Sequence, residues 1–127
     1  KIAFDFVIDY LHSLNPRVRP MFGCHAIYAG EKIMLITRLR KTDEDDNGVW
    51  VATSKEHHKS LKKDFPAMRT IYLLSNGKGE TEWQNIPSTS DNFESDVIKL
   101  CEMITRGDNR IGRIPKSKRA KKKTGIE

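Results

Sequence analysis

The connections between the apolar stretches of this chain are too short for anything but neighbouring antiparallel strands. An apolar segment ending at Tyr28 is followed by Ala29-Gly30-Glu31-Lys32, which reads as a tight turn, and then by Ile33-Met34-Leu35-Ile36-Thr37. The polar segment 41–48 ends in Asn47-Gly48, so it is expected as a solvated loop leading into a third strand, Val49-Trp50-Val51-Ala52. Segments 68–74 and 80–86 flank the turn cluster Ser75-Asn76-Gly77-Lys78-Gly79 and read as a second hairpin closed by Pro87. A parallel crossover needs about a dozen residues or more and usually a helix. The spacing therefore predicts a mainly antiparallel sheet of about five strands.

Helical periodicity appears around and between these stretches. Ile2, Ala3, Phe6, Val7, Tyr10, Leu11 and Leu14 recur at three- and four-residue intervals and predict a first helix that stops before Pro16. Thr53 with Glu56 has the spacing of a capping box and predicts a second helix running to about Asp64, before Pro66. Ser88-Thr89-Ser90-Asp91 precedes Phe93, Val97, Ile98, Leu100, Cys101 and Ile104, which mark a last helix ending at Gly107. Helices interspersed with hairpins give an α+β class, with helices flanking the sheet. A length of 127 residues and a hydrophobic share of 37% suit one core, so residues 1–112 are expected as a single domain.

Charge separates this domain from the end of the chain. Residues 113–127 carry Arg113, Lys116, Lys118, Arg119, Lys121, Lys122 and Lys123 against the single acid Glu127, while the first 112 residues hold equal numbers of acidic and basic side chains. A tail so poor in apolar groups cannot offset the entropy of ordering and is expected to be disordered when unbound. It is expected to attract nucleic acid non-specifically, through phosphates and without base readout. No apolar run approaches the ~20 residues that span a bilayer, and Cys24 and Cys101 lack metal-ligand or disulfide-scaffold spacing. The expectation is a soluble, cytoplasmic chain with no membrane contact and no cofactor.

No constellation in the body announces a reaction. His57 and His58 are adjacent on the second helix and point about 100° apart, so they suit a solvated surface better than a shared metal. Cys24 and His25 alternate to opposite faces of a strand, which suggests a buried thiol beside an exposed imidazole. The acids Asp43, Glu44, Asp45 and Asp46 lack the spacing of a calcium loop. Gly77-Lys78-Gly79 links two strands rather than opening a helix, unlike a phosphate-binding loop. Trp50 and Trp83 suit the core, with base or ligand stacking as the other use.

Arg19-Pro20-Met21-Phe22-Gly23, followed by Ala26-Ile27-Tyr28-Ala29-Gly30-Glu31-Lys32-Ile33-Met34-Leu35-Ile36, resembles the N-terminal domain of the TfoX/Sxy family. That family has an Arg-x-Met-Phe-Gly-Gly block before a short strand, a glycine-containing turn and a further strand. The resemblance spans roughly residues 2–106, and Arg19, Met21, Phe22 and Gly23 carry it; Cys24 stands where the family usually has a second glycine. The acidic loop looks like an insertion, and the basic tail takes the place of the family's second, helical domain. Trp83 and Pro87 also echo the related YjbR-like fold. The resemblance implies an α+β fold and a loose link to transcription regulation, with no catalytic residues to carry over.

The resulting expectation is a non-enzymatic binding or regulatory module whose body contacts a protein partner while its tail engages nucleic acid. The alternative is a small-ligand-binding or catalytic domain with a pocket near Arg19, His25 and Trp83.

Overall fold

The computed structural model describes residues 1–115, and their strands form one antiparallel sheet. In chain order these are β1 (Arg17–Met21), β2 (Cys24–Ala29), β3 (Lys32–Arg38), β4 (Gly48–Val51), β5 (Arg69–Thr70) and β6 (Gln84–Pro87). Their spatial order is β1-β2-β3-β4-β6-β5. The sixth strand arises because the segment before Tyr28 folds back on itself, β1 pairing with β2. Phe22 and Gly23 adopt φ of 53° and 76°, the two positive values that a tight two-residue hairpin needs. Asn-Gly is the usual signal for such a turn; an aromatic in the first position gives none.

Period-two alternation divides the sheet into two faces. One face presents Ile27, Leu35, Val49, Val51 and Ile86 to the helices α1 (Phe6–Tyr10), α2 (His58–Asp64) and α4 (Phe93–Thr105). Val7 and Leu11, Leu61 and Phe65, and Val97, Leu100 and Ile104 fill the layer from the helix side. Each such side chain contributes about 1.5–3 kcal/mol on full burial, so this layer is the main source of stability. The first helix is shorter than its periodicity predicts. Phe4 takes a left-handed φ of 52° so that its ring can meet Phe93 edge-on at 4.9 Å, and the segment after Tyr10 tightens into a 3-10 turn over His12–Leu14.

The other face carries Cys24, Ala26, Tyr28, Ile36 and Trp50, with Ile71 packed against them. Among the described residues no long helix covers it. Instead the segment after β3 and the short helix α3 (Tyr72–Ser75) fold across it. Residues 72–74 are expected as strand and Ser75 as turn. They turn helical because Asp46 Oδ1 and Oδ2 accept the N–H groups of Tyr72 and Leu73, both at 2.9 Å, from 26 and 27 residues away. The expected solvated loop 41–48 thus has a buried end.

Two further expectations are corrected by long-range contacts. Thr53 does not cap α2; its hydroxyl donates to the Arg110 carbonyl at 2.7 Å, residues 55–57 form a 3-10 turn, and α2 begins at His58. His58 is not solvated surface. It is buried, its Nε2 N–H donates to the Glu82 carbonyl at 2.7 Å, and its Nδ1 lies 3.3 Å from Glu80 Oε1.

After α4 the chain is tied back by charge. Arg110 donates to Asp108 at 2.9 and 2.6 Å and reaches Asp64 at 3.3 Å and Ser60 at 3.2 Å. The Arg110 hydrogen bond holds the Asp108 carboxyl below its usual range, and Lys62 does the same for Glu80. Both groups stabilise the fold fully above the ordinary carboxylate pKa of about 4, and that stability is lost as pH falls through their lower folded values. Burial acts oppositely on Asp96, whose carboxyl is raised, so its ionisation opposes folding and partly offsets the acid loss. The expected melting temperature is level above about pH 5 and falls below about pH 4. Arg110→Gln should lower stability at pH 7 by about 2 kcal/mol and flatten the acid limb, as read by circular dichroism melts at several pH values. A variant that keeps the full acid dependence would contradict this assignment.

Candidate functional site

Ile36 and Arg38 alternate onto the face opposite the helices, and Arg40 follows two residues beyond the end of β3. Asn47 then folds the loop back. Its Oδ1 accepts from Arg40 N at 2.9 Å and from Arg38 Nη1 at 2.9 Å, while its Nδ2 donates to the Arg40 carbonyl at 2.8 Å. The returning loop, the Phe22-Gly23 turn and α3 enclose an open cleft of about 360 Å³. Cys24, Ile36 and Trp50 line it from the sheet, Met21 and Phe22 from the β1–β2 hairpin, and Leu73 and Leu74 from α3; Arg38, Arg40, Thr42 and Asp43 line it where the chain leaves β3.

The charged end is unusual. Arg38 is only 3% exposed, yet its guanidinium donates to uncharged oxygens: the Asp43 carbonyl at 2.8 Å, the Thr42 carbonyl at 3.0 Å and the Asn47 side chain at 2.9 Å. Arg40 is exposed and lies across Gly23, where a Cβ would occupy the place of its guanidinium; its Nη1 reaches the Phe22 carbonyl at 3.4 Å. Among the described residues neither arginine forms an ion pair with a carboxylate. Burial pushes the Cys24 thiol up, against the pull of Arg38 and Arg40, so it presents a neutral S–H to the cleft at pH 7.

The apolar lining is open to solvent. Phe22 is 93% exposed, and Leu73 and Leu74, which line the same cleft, are also exposed. The strained, left-handed Phe22 holds its ring at the cleft edge instead of in the core, where an aromatic normally goes.

The other residues singled out in the sequence are placed elsewhere. Arg19 pairs with Ala26 and shares its face, whereas His25 pairs with Pro20 and Thr37 and points to the helical side. Trp83 lines a separate shallow groove with Lys55, Lys78, Gly79, Glu80 and Glu82. Arg19, His25 and Trp83 therefore do not converge. Met21 and Phe22 do belong to the cleft, and Gly23 permits the Arg40 crossing. Arg113 is held by the body: it exchanges backbone hydrogen bonds with Ile33 at 2.9 and 3.0 Å, and its guanidinium donates to the Thr53 carbonyl at 3.0 Å, 3.5 Å from Glu82. Lys116, Lys118, Arg119, Lys121, Lys122 and Lys123 lie outside the described residues.

Sequence reasoning missed Arg38 and Arg40. A faint signal existed, since Arg38 follows Ile36 at the spacing that keeps both on one strand face, and a charge in that register is a charge directed at packed surface. Among the described residues no three His, Cys, Asp or Glu side chains gather as a metal site would require, and no helix is long and apolar enough to cross a membrane. Comparison with family models, with curated proteins and with solved structures finds no match to this chain.

Proposed function

We propose that this chain is a non-enzymatic binding module, the role implied by its resemblance to TfoX N-terminal domains, and that its body holds a small anion at the charged end of the cleft. The observation that carries this reading is Arg38, a buried guanidinium whose hydrogen-bond acceptors are all uncharged. Removing a cation from water costs several kcal/mol, and neutral oxygens return only part of that. An anion entering beside Arg38 gains the remainder, and exposed Arg40 offers it a second, adaptable guanidinium. A nucleophilic role is disfavoured because the thiol nearest these cations is kept protonated by burial.

The test is a titration with inorganic phosphate followed by backbone amide NMR. Shifts should map to Cys24, Arg40 and Thr42, saturate in the millimolar range, and weaken at least several-fold in Arg40→Gln. Shifts absent from this end of the cleft would overturn the reading.

Charge segregation favours a second anionic partner for the segment after Pro115. Its cations are expected to bind nucleic acid weakly and without sequence preference, with affinity falling steeply as salt rises. Fluorescence anisotropy with labelled DNA and RNA at two salt concentrations should show binding by the whole chain and none by a chain ending at residue 115. Equal behaviour of the two would remove the segment from the account. The exposed apolar walls of the cleft support a protein partner for the body.

A further inference from the structure

The charged end occupies only part of the cleft, and the rest of the cleft has its own chemistry. Besides Arg38 and Arg40 the lining includes Ile36, Trp50, Leu73 and Leu74, and Phe22, whose carbonyl lies beside Arg40. Exposed large apolar side chains scattered singly need no explanation, but Phe22, Leu73 and Leu74 stand around one opening. Two of the three are placed there by specific devices: Phe22 by a left-handed turn, and Leu73 by the hydrogen bond from its N–H to the buried Asp46.

We infer that the ligand of this cleft is an amphiphilic monocarboxylate, a carboxylate on an aliphatic or aryl body, bound with its head at Arg40 and Arg38 and its body along Trp50 towards Leu73 and Leu74. This rests on the anion-binding reading above and specifies its ligand. Charge selects the head. The end of the cleft offers two guanidiniums against the single acid Asp43, which matches one negative charge better than two. The planar fork of a guanidinium also fits a carboxylate in a bidentate fashion. Size limits the body, because a cleft of about 360 Å³ suits a ligand of small-molecule size. A head of three atoms leaves room for a chain of medium length or one aromatic ring, and each buried methylene strengthens binding. A nucleotide is disfavoured because the helix start beside the cleft already gives its first N–H groups, those of Tyr72 and Leu73, to Asp46 and leaves none for a phosphate.

The experiment compares decanoate, acetate, 1-decanol and a peptide ending in leucine by isothermal titration against the whole chain. Decanoate should bind at least ten-fold tighter than acetate and than 1-decanol. Arg40→Gln should weaken decanoate about ten-fold without changing the affinity for 1-decanol, and Leu74→Gln should weaken decanoate while leaving acetate unchanged. Both side chains are exposed, so unchanged melting temperatures are expected and will show that the site rather than the fold is being read. Equal affinity for acetate and decanoate, both lost in Arg40→Gln, would overturn this inference and leave the anion reading standing. Absence of binding by either would overturn both. Equal affinity for decanoate and decanol would refute the carboxylate head, and tighter binding of the peptide would replace the free carboxylate with a protein C-terminus.

Discussion

Gly48→Ala is expected to be the most destabilising single-methyl change in the chain, costing about 3–5 kcal/mol, a large part of the stability of a small domain. Gly48 opens β4 between Arg38 on β3 and Pro87 on β6, with φ at +147°. A Cβ there would run into the Ile86 carbonyl oxygen, come within 2.6 Å of Asn85 Oδ1 and within 3.0 Å of Pro87 Cα. Two of these are backbone atoms of the neighbouring strand and cannot swing aside. Gly77→Ala is the control, since Gly77 also has positive φ but nothing lies within 4 Å of its Cβ position. It should cost only the conformational strain, about 1 kcal/mol. Urea midpoints of the two variants measure the difference, and equal losses would mean that the close approach at Gly48 is not rigid.

The second large effect is expected at Asp46. Its carboxylate is 1% exposed, receives the N–H groups of Tyr72 and Leu73, and lies 3.8 Å from Arg69, while its carbonyl accepts the Trp50 indole N–H at 2.9 Å. In Asp46→Asn one of the two backbone donors faces an NH₂ group instead of an oxygen. Leaving a buried donor unsatisfied and losing a charge-assisted bond should cost about 2–4 kcal/mol. Because the same bonds hold α3, amide exchange at Tyr72 to Ser75 should accelerate more than exchange in β3. Glu44→Gln, two residues away on the exposed part of the loop, should change stability by no more than about 0.5 kcal/mol. A similar loss in both variants, or none in Asp46→Asn, would contradict the capping role.

These two positions also show where the sequence was legible. The short turn at Ala29-Gly30 and the period-two pattern of Ile33 to Thr37 are local signals, and β2, β3 and β4 stand where they point. The periodicity of Phe93 to Ile104 and the stop at Gly107 likewise place α4. Features decided at a distance were not legible. Asp46 sits in an acidic run that looks solvated, and nothing local says that it turns inward to cap a helix 26 residues on. Asn47-Gly48 has the composition of a turn, yet its glycine is needed for the approach of β6. Thr53 and Glu56 have capping-box spacing, but the threonine hydroxyl is claimed by Arg110, 57 residues later. The cleft was missed for the same reason. Its arginines lie on one strand and its continuation, its thiol and Phe22 on a preceding hairpin, and its leucines on a helix whose start Asp46 caps.

The proposed anion site joins Arg38 and Arg40 to the apolar lining of one cleft. A crystal structure of the protein grown with saturating decanoate tests it most directly. A carboxylate is expected about 3 Å from an Arg40 nitrogen, on the Arg38 side of the cleft, with the alkyl chain against Trp50 and Leu73. Decanoate bound in the groove of Lys55 and Lys78, or a cleft occupied with the carboxylate turned away from both arginines, would contradict it.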